Sequence, residues 1–283
     1  MSFTSFIAKR YFFAKSKWNV VNIISLSASL VLVLATSSFF IVLSVFSGLK
    51  DFGTSYTKAF DPDIKVFSKS KKFFVYSDVV NKMSDMSEIK SFTLELKEKV
   101  AVQNEGNSSF VTMVGADKNY SSVYEIENQI EAGKWFSNQS GITESVVSYG
   151  LADQLKLGLY NYGGGVNILV PNLKKNTIFS KSYNSSLHMV VGVFNSSDLE
   201  QKNTIYVPLN SAKNLLGLDK DLASSIGIKI NTTFNTQRAV VTLKEKIGND
   251  FFIKTREELC LLYTSPSPRD VEEWRSPEGG CKK

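Results

Sequence analysis

Histidine, cysteine and paired carboxylates do most of the chemistry that proteins perform at neutral pH, and this sequence is sparing with them. Its one histidine is His188. A metal site or a Ser-His-Asp triad would have to rest on that imidazole alone. It stands in the apolar run "LHMVVGVF", with no Cys, Asp or Glu at ligand spacing. It reads as a structural or surface histidine. Carboxylates are plentiful, but none forms a recognisable acid–base pair. Two phrases invite a phosphate-loop reading. In "YNYGGGVN" (160–167) no Gly-Lys-Ser/Thr follows the glycines, and the next element reads as a strand, so no helix N-terminus faces a phosphate. A turn between strands fits better. "EAGKWF" (131–136) has Gly-Lys without the rest of a Walker pattern. These residues offer no catalytic constellation, no metal and no cofactor. The basic run "KSKK" at Lys69–Lys72 is most simply a solvated loop, with contact to anionic lipid headgroups as the other reading. Asn-x-Ser/Thr triplets at Asn107, Asn138, Asn184, Asn195 and Asn231 are expected by chance in an Asn- and Ser-rich chain.

The elements that would position any site begin with a long apolar segment. No charge occurs between Lys17 and Lys50. A helix needs about 20 residues to cross a hydrocarbon core of about 30 Å, and the stretch from Ile23 to Phe46 is long enough. Ile23, Leu30, Leu34, Phe40 and Val45 are expected to face lipid. Serines interrupt the run, but a helix satisfies its own backbone, and Ser can bond the carbonyl one turn earlier. Ser25, Ala28 and Ser29 share a face where a second helix could approach. Lys9, Arg10, Lys15 and Lys17 precede the run and set the N-terminus inside by the positive-inside rule. The apolar region exceeds a signal-peptide h-region and no small-x-small site closes it, so it reads as a retained anchor. Residues 1–18 then form a cytoplasmic arm whose aromatic and basic residues suit an amphipathic helix on the inner surface.

Beyond the anchor the chain has globular composition, with 43% hydrophobic and 21% charged residues and a net charge of +6. The positive charge is spread along the chain, so nucleic acid is not an expected partner. The two cysteines, Cys260 and Cys281, lie near the end, and no disulfide framework is available to the domain. "IKVFS" (64–68) reads as a strand, Asp78–Met86 as a helix capped by Ser77, and 89–96 and 100–103 as strands. "NEGN" (104–107) is a turn into a strand at 110–114. The middle reads as β-rich: strands at 145–147, 166–170, 187–194 and 204–209, with helices at 149–156 and from Asn210, as cap, to Leu216. At the end, a strand at 225–230, a helix at 236–247 and a strand at 250–255 repeat the first style. The expected fold class is α+β: a transmembrane helix, then two βαβ-type units flanking an inserted β-rich subdomain. The expected boundaries are 19–49 for the helix and 50–258 for the outer domain. Within the latter, 60–115 and 222–256 form one part and about 116–221 the insert.

The order of phrases resembles a known family. The basic arm leads into a helix ending Val42-Leu43-Ser44-Val45-x-x-Gly48. "AFDPDIKV", "MVGADKNY", "IEAGKWF", "VVSYGLADQLKLGL", "VNILVPN", "VVGVF" and "IYVPLNSAKNLLGL" then follow as in the lipoprotein-releasing ABC transporter permeases (LolC/LolE-like), within the MacB/FtsX-type superfamily. The resemblance covers about residues 1–258. It implies a type VII ABC permease subunit of the bacterial inner membrane with four transmembrane helices. Its periplasmic domain, with a porter-like part and a β-rich insert, would lie between the first two. The implied partners are a separate cytoplasmic ATPase, a second permease subunit or second copy, membrane lipid, a lipoprotein substrate and a periplasmic chaperone. An efflux or cell-division permease would share the fold, and a single-pass anchored binding or sensor protein is the reading from another class. Helices two to four should follow "KTREE". Instead, residues 259–283 carry both cysteines and three of the six prolines, and "CLLYTSPSPRD" resembles a translated sequencing adapter.

Overall fold

A run of apolar residues without helix breakers forms a long helix, and this chain has one near its start. The computed structural model describes residues 3–12, 20–57, 60–137, 143–157, 164–171, 183–196, 201–218 and 221–259. The chain divides into two units, Met1–Thr54 and Ser55–Lys283. The first holds helix α1 (Phe3–Phe12) and most of α2 (Val20–Thr57). Within α2, Ile23–Leu49 is a 27-residue stretch of mean hydropathy 2.4, none of it buried. At a rise of about 1.5 Å per residue it is about 40 Å long, enough to cross a bilayer with tilt. Three of its hydroxyls bond back to the helix's own carbonyls. Ser27 Oγ donates to Ile24 O at 2.9 Å, Ser29 Oγ to Ser25 O at 2.8 Å and Thr36 Oγ1 to Leu32 O at 2.9 Å. This is the back-bonding that lets serine sit in an apolar helix.

The second unit opens with β1 (Ile64–Ser68), β2 (Phe74–Val75), α3 (Ser77–Met83) and β3 (Ile89–Asn104). It closes with β10 (Leu222–Ala223), β11 (Ser225–Ile230), α7 (Thr236–Ile247) and β12 (Phe251–Thr255). Four of these strands lie in the order β12-β1-β11-β3, each antiparallel to its neighbours. β1 and β3 therefore run the same way with β11 between them, joined through α3. β11 and β12 run the same way with β1 between them, joined through α7. These are two split βαβ units, each interleaved with the other, the ferredoxin-like arrangement. The helices bury Val79 and Met83 of α3 and Ala239, Leu243 and Ile247 of α7 in the main core.

The insert between β3 and β10 supplies β4 (Asn107–Ala116), α4 (Tyr120–Val123), β5 (Ile130–Gly133), β6 (Glu144–Ser148), α5 (Tyr149–Gln154), β7 (Gly165–Pro171), β8 (Tyr183–Phe194), β9 (Thr204–Pro208) and α6 (Leu209–Leu216). Its pairings run β3-β4-β9-β6-β8, and β7 pairs with both β8 and β3. The six strands thus close into a ring, which removes two exposed edges. Val100, Val102, Val111, Val166, Ile168 and Ile205 fill the core with Leu151 and Ala152 of α5 and Leu209, Ala212 and Leu215 of α6. β3 belongs to both parts. Its first half pairs with β11 and its second with β4, so one 16-residue strand runs from the open sheet into the ring.

Several elements differ from the sequence expectation. Residues 89–104 form one strand, without the break expected at Lys97-Glu98-Lys99, because β4 supplies ladder partners through this stretch, Val114, Met113 and Thr112 standing opposite the three charges. Ser77 is the first residue of α3 and caps nothing; the N-cap is Tyr76, with no side-chain capping bond. Likewise Asn210 lies inside α6, whose N-cap is Pro208. The "NEGN" turn is as expected: Glu105 and Gly106 both have positive φ (44° and 86°), the two-residue conformation that matches the strand twist.

Candidate functional site

β3 alternates its side chains between two environments. Leu94 and Leu96 face the helix layer, while Thr93 and Glu95 face the other side of the sheet, which α4 covers. Glu95 is 2% exposed. A carboxylate this deep requires partners for its charge and lone pairs, and it has them. Lys65 Nζ of β1 lies 2.7 Å from Oε2, and Ser225 Oγ of β11 donates to the same oxygen at 2.9 Å. The Tyr124 hydroxyl donates to Oε1. Gly227, in register with both Lys65 and Thr93, makes room for that tyrosine, since a Cβ there would come 2.8 Å from its hydroxyl. One carboxylate thus ties β1, β3 and β11 to the chain following α4. Next to it, Asp117 accepts from Thr93 Oγ1 and, at 3.1 Å, from the backbone N–H of Leu94, extending the β4 edge of the sheet by a side chain.

An aromatic cluster surrounds this centre. Tyr120 stacks on Tyr124 at 4.3 Å and on Trp135 at 5.8 Å; Tyr206 meets Trp135 and Phe194, each at 5.3 Å. Phe60 adds its ring 6.0 Å from Phe194. Burial is the main cause pushing the Tyr120 and Tyr206 hydroxyls up from their ordinary value, so both stay neutral phenols. The Glu95–Lys65 centre has the pairing of a built catalytic site, but buried aromatics cover it. Its chemistry is cohesion.

His188 is fully buried on β8. Its Nε2 is 2.8 Å from Ser211 Oγ of α6 and its Nδ1 is 3.3 Å from Ser186 O. The carbonyl requires the proton on Nδ1, so Nε2 accepts from Ser211. Burial lowers its pKa, the Ser186 contact opposing in part. The imidazole therefore fastens α6 to the ring, as a structural histidine does. Residues 158–163, with the first half of the Gly-rich phrase, lie outside the described residues. After them Gly165 opens β7, a strand and not a helix. "EAGKWF" spans the end of β5 and the start of the aromatic cluster. In "KSKK", Lys72 pairs with Glu98, and Lys69 lies 5.4 Å from the Phe252 ring centroid. Among the described residues no group of three His, Cys, Asp or Glu could hold a metal. A pocket of about 310 Å³ is lined by Met83, Met86, Ile89 and Phe92 with Ser84 and Ser122, whose hydroxyls are spent on the carbonyls of Val80 and Asn119.

The expected lipid-facing residues Ile23, Leu30, Leu34, Phe40 and Val45 all stand exposed on α2. Lys9 and Arg10 lie on α1, Arg10 exposed; Lys15 and Lys17 fall outside the described residues. Sequence reasoning missed the Glu95 centre. The available signal was a carboxylate in the middle of "FTLEL", at a position where alternation with Leu94 and Leu96 places it on a sheet face.

Residues 25–246 match the family described as MacB-like periplasmic core domain. Among solved structures, the periplasmic region of MacB from Actinobacillus actinomycetemcomitans is similar in fold. The TM-score is 0.52 at 17% identity, covering 71% of this chain and 92% of that one. The extracellular domain of the noncanonic ABC-type transporter YknZ from Gram-positive bacteria aligns at 14% identity and a TM-score of 0.46, over 68% and 99% of the two chains. No curated protein is matched significantly by the sequence.

Proposed function

We propose, from the premise that this chain belongs to the MacB-like periplasmic core domain family, that it is the permease subunit of a type VII ABC transporter and that it serves lipoprotein release. The observation that carries the first part is the family match running from inside the apolar helix through the first split βαβ unit and the ring and on into α7 of the second. The finer part rests on the order of phrases from "VLSV-x-x-G" to "IYVPLNSAKNLLGL". In this reading residues 1–18 are a cytoplasmic arm, 19–49 the first membrane helix and 50–258 the periplasmic domain, with Lys9, Arg10, Lys15 and Lys17 holding the N-terminus inside. Within that domain, 60–115 with 222–256 are the porter-like part, about 116–221 the insert, and 259–283 an adapter-derived tail. ATP hydrolysis belongs to a separate cytoplasmic subunit, and a second permease or a second copy completes the assembly. Lipid-anchored cargo would be lifted toward a periplasmic chaperone without passing through a channel. A domain held together by a largely buried polar centre suits a part that is moved mechanically.

The source reading frame tests this. It should continue past Glu258 into three further apolar runs, and the full product should copurify an ABC ATPase and release acylated protein from proteoliposomes on ATP addition. A stop codon soon after Glu258 would favour the anchored binding protein instead. ATPase association without lipoprotein release would favour an efflux or cell-division role.

A further inference from the structure

The chain arrives from α2 at Phe60 and leaves β12 at Thr255, and these two places are fastened to each other. Asp63, just before β1, accepts from the guanidinium of Arg256 at 2.8 Å through Oδ1 and from the backbone N–H of Ile230 at 2.8 Å through Oδ2. Arg256 Nε donates to Asp61 O at 3.2 Å, and the Arg256 backbone N–H donates to Asp63 O at 3.1 Å. Three contacts thus join two segments 193 residues apart in sequence. The clamp is half-buried, with side chains 20% and 24% exposed. A guanidinium that spends one donor on a carboxylate and another on a backbone carbonyl fixes geometry better than a surface lysine pair does.

Arg256 is also the first residue of a helical turn, 256–259. The Thr255 N–H donates to Glu258 Oε2 at 3.0 Å, and the Glu258 N–H donates to Thr255 Oγ1 at 3.4 Å. This reciprocal pair is a capping box, the device that starts a helix. Glu257 and Glu258 add negative charge at the helix N-terminus, where the macrodipole favours it. The buried Leu259 ends the described turn.

We propose that Asp63 and Arg256 form a joint: they hold the root of a helix that starts at Arg256 against the segment arriving from α2. Resting on the permease reading, that helix is the second membrane helix. Motion of either helix then reaches the domain at one shared point and turns it as a body. Without the joint, the same motion would shear β12 away from β1.

Residue-resolved hydrogen exchange on the 283-residue chain in nanodiscs tests the joint. Arg256→Gln and Asp63→Asn should each speed exchange at the Thr255, Arg256 and Glu258 amides by about tenfold or more, with protection unchanged in β3 and in β11 before Ile230, whose own amide bonds Asp63. Arg256→Lys keeps the charge but loses the Nε donor, and should speed the same three amides by less. Unaltered exchange at these amides in the variants would overturn the joint. So would equal acceleration throughout β3 and β11, because the pair would then brace the whole sheet. The outcome is independent of transport. If the permease reading alone is wrong, the variants still loosen 255–258 while the source frame stops; if the joint alone is wrong, the amides stay unmoved while the frame continues.

Discussion

Removing both members of the Glu95–Lys65 pair should cost the domain less than removing Lys65 alone, and far less than the two single losses added together. The two side chains differ in exposure: Lys65 is 18% exposed and Glu95 3%. Lys65→Met strands a buried carboxylate on two hydroxyl donors, and breaking a buried pair in this way costs about 3–5 kcal/mol. Glu95→Gln leaves the ammonium within reach of water, so its cost belongs near the low end, about 3 kcal/mol. The double variant removes both charges and leaves a neutral amide facing the Tyr124 and Ser225 hydroxyls, a loss of about 2–3 kcal/mol. The coupling between the two sites is then about 4 kcal/mol, well outside the few tenths expected of independent sites. For a domain of this size, the Lys65→Met loss lowers the melting temperature by about 10 °C. Urea unfolding in detergent, followed by Trp135 fluorescence with Trp18 and Trp274 replaced by Phe, reads the effect at its source, because Trp135 stacks on Tyr120 beside the centre. The m-value should not change. If the two single losses simply add in the double variant, the carboxylate is not the hub described and the reasoning fails.

Two further outcomes follow from other parts of the chain. Burial holds His188 below its ordinary pKa, so the unfolded chain takes up a proton near pH 6.5 that the folded chain refuses. The stability this group contributes is present above pH 6.5 and lost as the pH falls toward the folded value, at up to about 1.4 kcal/mol per pH unit. Urea titrations between pH 7.5 and 5.5 should show that slope in the wild type and lose it in His188→Gln; an unchanged slope in the variant would assign it to other groups. At the N-terminus, replacing Lys9, Arg10, Lys15 and Lys17 together with Gln should mix the orientation of α2. An alkaline phosphatase reporter fused after Leu259 should then lose much of its activity, and full retention would mean that other features orient the helix.

The sequence made the local elements plain where a single environment governs a whole element. "IKVFS" and "SIGIKI" are strands over the residues expected, and Thr236–Ile247 is a helix over the residues expected: the first strand and the helix bury one face, and "SIGIKI" is a short apolar run buried on both. The strand through Lys97-Glu98-Lys99 was hidden because three charges in a row read as solvent, whereas here they cross from one sheet environment to another. The interleaving of the two βαβ units was hidden for another reason: β1 pairs with β11 and β12, and nothing local records which distant strand completes an edge.

The Glu95 centre shows the same limit. Alternation places Glu95 on a face of the sheet but does not say that α4 and Tyr124 will cover that face. The capping box was different, since Thr255-x-x-Glu258 is a local helix-start signal within "KTREE" and needed no long-range information to be read. What only the fold supplies is its neighbour. A capping box on a free strand end would orient a helix anywhere, whereas one followed at once by Arg256, which is bonded to Asp61 and Asp63, starts the helix beside the place where the chain arrived. The domain is in this respect a closed loop, with both ends of some two hundred residues brought to one ion pair, and the long β3 strand carries that fixed point into the ring.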